Sequence, residues 1–172
     1  MTALITGGSG SGKSELAERL AISLGEDRLY AATMLPYGEE AEERIRRHRE
    51  MRSGKGFRTV ECYTDLDGLD VTADTVVLLE CMSNLLANTM FSCDGVYTPD
   101  VTEGLIRAVC ALGDRCKSLV IVSNEIFSDG VQYDEASIRY IENLAVINRA
   151  LAAYCDTVAE VVCGIPLYMK GR

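Results

Sequence analysis

The chain holds a single histidine, His48, and its seven cysteines (Cys62, Cys81, Cys93, Cys110, Cys116, Cys155 and Cys163) form no C-x-x-C pair. Without clustered thiolate and imidazole ligands, the composition argues against a zinc centre. An odd set of scattered cysteines reads instead as free, mostly buried thiols in a reducing compartment. No apolar run reaches the ~18 residues that a membrane span needs. The opening residues Thr2 to Thr6 lead straight into a glycine loop, with neither a basic start nor a small-residue cleavage site. The expectation is therefore a cytoplasmic protein without a signal peptide. A net charge of -9 gives no overall attraction for nucleic acid or anionic membranes. The N-K-x-D motif that reads guanine in regulatory GTPases is missing. Asp65-Leu66-Asp67-Gly68 matches a D-x-x-G pattern, but no long apolar strand precedes it, so it reads as chance. Repeats, low-complexity tracts and linkers are also absent, and 172 residues fit one domain, 1–172, because single cores grow to about 250–300 residues.

What is present is an alternation. Apolar, partly β-branched runs at 3–6, 28–32, 57–61, 75–79, 118–123 and 157–163 are separated by helical patterns at about 13–24, 39–51, 82–91, 100–117 and 134–154. Continuous apolar strands between helices predict a mainly parallel sheet covered on both faces, an α/β three-layer sandwich of the P-loop NTPase kind. The tail from Gly164 to Lys170 predicts a turn and a short C-terminal edge strand, where Pro166 is tolerated.

Gly7-Gly8-Ser9-Gly10-Ser11-Gly12-Lys13-Ser14 matches G-x-x-x-x-G-K-[ST] at every fixed position, after an apolar strand and before an amphipathic helix. Glycine is required there because the loop turns its amide N–H groups inward around phosphate oxygens. The following helix adds its positive N-terminal end. Lys13 is expected on the β- and γ-phosphates of a nucleoside triphosphate, and the Ser14 hydroxyl on Mg²⁺. Such sites also use an acid at the end of another core strand. Glu80, after Val76 to Leu79, is the first candidate and Glu125, after Leu119 to Asn124, the second.

His48 lies in a segment whose acids (Glu39, Glu40, Glu42 and Glu43) come first and whose bases come last. That order complements a helix dipole, and Glu40/Arg44, Glu42/Arg46 and Glu43/Arg47 are spaced for i,i+4 pairs. Arg44, Arg46, Arg47, Arg49, Arg52, Lys55 and Arg58 fall within fifteen residues that contain one acid, Glu50. A local basic stretch on an acidic protein suits a small polyanion. Two readings of His48 stand at this point. It is either an incidental residue of a solvated helix, or a nucleophile on the helical face of Arg44 and Arg52. Neighbouring guanidinium groups favour the neutral imidazole that nucleophilic attack on phosphorus needs.

From about Leu4 to Lys170 the chain resembles the bifunctional adenosylcobinamide kinase / adenosylcobinamide-phosphate guanylyltransferase family. The resemblance is carried by the phosphate loop, Tyr30-Ala31-Ala32-Thr33, Arg44-Ile45-x-x-His48 with Arg52, and Phe57 to Glu61. It continues in Leu78-Leu79-Glu80-Cys81 with Asn88, Ser123-Asn124-Glu125, Asn148-Arg149-x-Leu151-Ala152 and Gly164-Ile165-Pro166. It implies ATP or GTP as phosphate donor to adenosylcobinamide, and GTP as donor of GMP through a histidine matched by His48. It further implies Mg²⁺ at Ser14 and Glu80, and catalytic roles for His48 and Lys13. Nucleotide contacts are implied at Gly7 to Ser14, Ala32, Thr33, Met34, Arg49, Glu50, Met51, Arg52, Glu61 and Glu80. The implied partners are the corrinoid and two further copies of the chain, in a homotrimer. The chain departs from the family pattern at Ile126 to Asp134, which lacks a proline and one glycine of a G-x-G-x-V-P stretch. A change there bears on the kinase half-reaction more than on guanylyl transfer. Two other functions fit the loop alone: a small-molecule P-loop kinase in which His48 is idle, and a nucleotide switch without chemistry.

Overall fold

The computed structural model describes residues 1–92, 95–127 and 130–171, with the side chains of Glu40, Arg44 and Met51 outside that description. The elements follow in the order β1 (Thr2–Thr6), α1 (Lys13–Leu24), β2 (Arg28–Ala32), α2 (Glu39–Arg52), β3 (Phe57–Glu61), β4 (Val76–Leu79), α3 (Met82–Met90), α4 (Thr102–Arg115), β5 (Ser118–Val122), α5 (Glu135–Tyr154), β6 (Thr157–Val162) and β7 (Ile165–Lys170). Every element expected from the sequence is present, with ends within two residues.

One seven-stranded sheet runs β3-β2-β4-β5-β1-β6-β7. All neighbours are parallel except β6 and β7, which are antiparallel. The hairpin joining that last pair turns on Cys163 (φ 50°) and Gly164 (φ 80°). Two successive residues at positive φ are the geometry that matches strand twist in a two-residue loop.

The strands read as unbroken apolar runs because both faces are covered. Leu4, Leu29, Val77, Leu79, Leu119 and Ile121 point to one side and pack with Leu85, Leu86, Leu112, Leu144 and Ile147 of α3, α4 and α5. Their immediate neighbours Ile5, Tyr30, Val76, Leu78, Val120 and Val122 point to the other and pack with Ala17 and Ala21 of α1. The period-two alternation of a strand thus feeds two cores, which makes the three layers. Among the described residues no helix is long and apolar enough to cross a membrane. Cys62, Cys81 and Cys155 are buried free thiols, Cys110 and Cys116 are half-buried and Cys163 is exposed, while Cys93 lies outside the described residues.

Helix α2 is held differently from the others. Its C-terminal turn, Gly54-Lys55-Gly56, is tied to the α1 face of the sheet. Lys55 Nζ donates to the buried Glu18 carboxylate of α1. Arg28 Nη1 donates to the Lys55 carbonyl at 2.7 Å, and its Nε to the Gly25 carbonyl at 2.6 Å. Positive φ at Gly38 (82°), Gly54 (78°) and Gly56 (71°) brackets the helix at both ends, in conformations that glycine adopts without strain. Along its exposed side Glu43 pairs with Arg47 at 3.6 Å and with Arg46 at 3.9 Å. Arg46 therefore meets Glu43 rather than the expected Glu42, and the Glu40/Arg44 pair lies outside the described residues.

Candidate active site

Two features share the carboxyl edge of the parallel strands, the edge where open α/β sheets bind ligands. The first is the loop from β1 to α1. Gly7, Gly10 and Gly12 hold φ of 152°, 71° and 92°, and no side chain caps α1, so its first-turn amides face the loop. Lys13 Nζ donates to the Gly8 carbonyl at 2.9 Å. The loop is buttressed from behind by Gly164 N, which donates to the Ser11 carbonyl at 2.8 Å, and by Glu125 N, which donates to the Gly7 carbonyl at 3.1 Å. The Ser11 hydroxyl is buried and has no partner among the described residues. A buried donor left so costs free energy until an acceptor arrives, and a phosphate oxygen is one.

Gly7 is the tightest point of the loop. A Cβ there would stand 2.6 Å from both the Val161 carbonyl oxygen and Ser11 Oγ. Gly7→Ala is expected to lower stability by about 1–3 kcal/mol and to abolish measurable triphosphate binding, read by thermal unfolding with and without GTP.

The second feature is a cavity of about 340 Å³ lined by Ala32, Met34, Pro36, Glu42, Ile45, Arg46, His48, Arg49, Glu50, Arg52, Glu61, Tyr63 and Glu80. Strands β2, β3 and β4 deliver its floor and α2 its roof. Glu80, one residue past β4, is buried. Its Oε1 lies 2.8 Å from His48 Nδ1. Its Oε2 accepts from Thr33 N at 3.0 Å and Met34 N at 3.4 Å, and the Tyr30 side chain is close enough to interact with the same charge. Burial works against the charge, but the interactions with His48, Tyr30 and Thr33 outweigh it and hold the Glu80 carboxyl below the usual carboxylate range. Tyr30 moves the opposite way: burial first, then the Glu80 charge, raises its hydroxyl well above the ordinary phenol value. The sequence placed only guanidinium groups beside His48; the structure adds a carboxylate.

Arg52 is 93% withdrawn from solvent, with relative exposure 7%. Its guanidinium carbon lies 3.4 Å from the centroid of the Tyr30 ring, whose edge meets Phe57 with ring centroids 6.3 Å apart. Its Nε and Nη1 reach no acceptor among the described residues. A stacked cation recovers part of its desolvation, and an anion in the cavity would recover the rest. Arg52→Met is therefore expected to leave the ligand-free protein as stable or about 1 kcal/mol more stable, while GTP binds at least about tenfold more weakly, by titration calorimetry.

Of the expected nucleotide residues, Ala32, Met34, Arg49, Glu50, Arg52, Glu61 and Glu80 meet around His48. Thr33 sits just behind them, its backbone N–H on Glu80 and its hydroxyl on the Cys81 carbonyl at 3.0 Å. Met51's side chain lies outside the described residues. Gly7 to Ser14 are at the same edge but do not line this cavity. Only β5 separates β1 from β4, so the two strand ends lie about 10 Å apart at ~4.8 Å per strand. The sequence reading gave no role to Asn88, whose Nδ2 bridges the Thr33 and Tyr63 carbonyls at 2.8 and 3.0 Å. It also missed Tyr63, whose hydroxyl donates to Glu61 at 2.9 Å. Tyr63 stands in no recognisable spacing and Asn88 only in the family resemblance; both matter only once the sheet brings β2, β3 and α3 together.

Mg²⁺ suits the loop by the chemistry of its donors. Phosphate oxygens and one hydroxyl would supply most of its ligands, and Ser14, in the first turn of α1, would offer that hydroxyl. Glu80, the acid expected beside it, has its two oxygens given to His48, Thr33 and Met34 instead.

The sequence model of one family, described as "Cobinamide kinase / cobinamide phosphate guanyltransferase", matches residues 3–169. The chain is 33% identical over 184 residues to the "Bifunctional adenosylcobalamin biosynthesis protein CobU" of Salmonella typhimurium, covering 99% of this chain and 100% of that one. The Escherichia coli protein of the same name is 34% identical with the same coverage. "Bifunctional adenosylcobalamin biosynthesis protein CobP" of Pseudomonas aeruginosa is 33% identical over 175 residues, covering 100% of this chain and 99% of the relative. Among solved structures, a prototypical ATPase from the type III secretion system of pathogenic bacteria superposes with a TM-score of 0.50 at 13% identity. That likeness covers 92% of this chain and half of the other, and it shows the P-loop fold alone.

Proposed function

The chain belongs to the cobinamide kinase / cobinamide phosphate guanyltransferase family, and on that premise we propose that it phosphorylates adenosylcobinamide and then transfers GMP from GTP to the resulting phosphate through a guanylyl-histidine at His48. The observation that carries this reading is the chain's one histidine set in a cavity with a buried arginine whose Nε and Nη1 meet no acceptor among the described residues, at the sheet edge that also holds the phosphate loop.

In the kinase step the loop amides and Lys13 grip the β- and γ-phosphates, and the aminopropanol oxygen forms a bond to the γ-phosphorus while the bond to the β,γ-bridging oxygen breaks; the nucleoside diphosphate leaves with the electron pair and the hydroxyl proton passes to solvent. Bound through Ser14 and the phosphates, Mg²⁺ would supply charge neutralisation. In the guanylyl step an N–P bond forms between the His48 imidazole and the α-phosphorus. The α-phosphorus–oxygen bond to the β-phosphate breaks, and pyrophosphate leaves with the electron pair. Lys13 and Arg52 meet the charge that develops. An oxygen of cobinamide phosphate next attacks the same phosphorus, the N–P bond breaks and its electron pair returns to the imidazole. Splitting the transfer this way replaces one difficult displacement by two easier ones.

A gap of about 10 Å between strand ends is within the reach of an extended triphosphate. A homotrimer in the cytoplasm belongs to this reading, and the exposed apolar side chains Ile165, Leu167 and Met169 on β7 support contact between copies.

Incubation with GTP and Mg²⁺ followed by intact-mass measurement tests the reading. It predicts one added GMP, stable in alkali and lost in acid. The separation of the phosphate loop from the His48 cavity favours one rival, a kinase with an idle histidine. That rival predicts phosphate transfer to cobinamide with no mass added to the protein.

A further inference from the structure

Three protein groups hydrogen-bond the Glu80 carboxylate. Backbone N–H of Thr33 and Met34 donate to Oε2 at 3.0 and 3.4 Å, and His48 Nδ1 stands 2.8 Å from Oε1. An ionised carboxylate only accepts. The proton of a neutral His48 ring must then sit on Nδ1, which leaves the lone pair on Nε2, at the far side of the ring from Glu80. The carboxylate is itself immobile. Its side chain is 6% exposed, and two of its donors are backbone.

We propose that Glu80, braced by the Thr33 and Met34 amides, is a positioning residue that holds His48 as the Nδ1–H tautomer and thereby makes Nε2 the nitrogen that takes the GMP. This rests on His48 being the GMP acceptor. When Nε2 forms the bond to phosphorus, the ring carries a hydrogen on Nδ1 and phosphorus on Nε2, and hence a positive charge. Glu80 is the anion already in contact with that charge. No other reactant is needed: the Nδ1 proton stays in the His48–Glu80 hydrogen bond through both half-steps. The geometry also opposes a metal-ligand role for Glu80, because turning the carboxylate to a cation would strip His48, Thr33 and Met34 of their acceptor together.

With one histidine in the chain, ¹⁵N-histidine labelling reports His48 alone. The free protein is expected to show Nδ1 protonated and Nε2 unprotonated, and the GMP adduct to carry phosphorus on Nε2. Glu80→Gln should shift the tautomer signals toward a mixture and slow adduct formation about 10- to 100-fold, with half-saturating GTP and Mg²⁺ within about twofold of wild type. Tyr30→Phe keeps the ring under Arg52 and is the variant that decides if Glu80→Gln does not fold. It removes the hydroxyl that interacts with the Glu80 charge and should slow adduct formation by about threefold or more. An Nε2–H tautomer in the wild type overturns the proposal, as does GMP on Nδ1. So does wild-type adduct formation in either variant, or a tenfold rise in the Mg²⁺ requirement of Glu80→Gln. Complete absence of GMP on wild-type His48 is a separate result, which removes the guanylyl-histidine reading and this proposal with it.

Discussion

His48→Asn is expected to eliminate GMP attachment to the protein, at least about 10³-fold, while phosphorylation of cobinamide continues within a few-fold of wild type. Asparagine is the informative replacement because its side-chain N–H₂ can still donate to Glu80. Alanine would leave that buried carboxylate short of one donor, a loss of about 1–3 kcal/mol, and would confuse lost stability with lost chemistry. The two half-reactions should separate because their reacting atoms differ. The kinase step uses the γ-phosphorus held in the loop, where His48 has no part. The guanylyl step uses the α-phosphorus, and among the described residues no other side chain lining the cavity is a neutral nitrogen nucleophile: the other nitrogen-bearing side chains there are the guanidinium groups of Arg46, Arg49 and Arg52, which stay protonated. Parallel assays of cobinamide phosphorylation and of GMP incorporation, on one preparation, measure the separation.

Lys13→Ala should have the opposite pattern, removing both activities together by about 10²- to 10⁴-fold each. The ammonium group is the one side-chain cation built into the loop, at 2.9 Å from the Gly8 carbonyl, and both reactions depend on the same polyphosphate grip. Triphosphate affinity should fall as well, whereas thermal stability without nucleotide should change by under about 1 kcal/mol, because Lys13 is only half-buried in the free loop. A variant that kept one reaction and lost the other would show that the two do not share a phosphate site.

The fold was legible because the signals that encode it are local. Val76 to Leu79 and Ser118 to Val122 are unbroken apolar strands, and their alternate residues fill two separate cores. The loop Gly7 to Ser14 was equally plain, because backbone-to-phosphate geometry demands glycine at fixed offsets. His48, Arg52, Glu61 and Glu80 could be named from the resemblance, but not their arrangement. Glu80 was expected near Mg²⁺ with Ser14. Its actual partners are 32 and 47 residues away in the chain, at separations that carry no periodic signature. Tyr30 was hidden for a different reason. A tyrosine in an apolar strand reads as core, and its ring does sit there, yet it interacts with the Glu80 charge and carries the Arg52 guanidinium on its ring. Arg52 was expected on the His48 face of its helix and, by the resemblance, on the nucleotide. Only the tertiary structure shows it buried over an aromatic ring, with Nε and Nη1 meeting no acceptor among the described residues.

The central claim is that His48 carries the GMP between donor and acceptor. It is tested most directly by isolating the GMP-bearing protein, stripping it of free nucleotide and mixing it with cobinamide phosphate in a single turnover. The account predicts that GMP leaves His48 and appears in the corrinoid product at a rate no slower than steady-state turnover. A GMP–protein bond that persists while added GTP is turned over at the normal rate would contradict it.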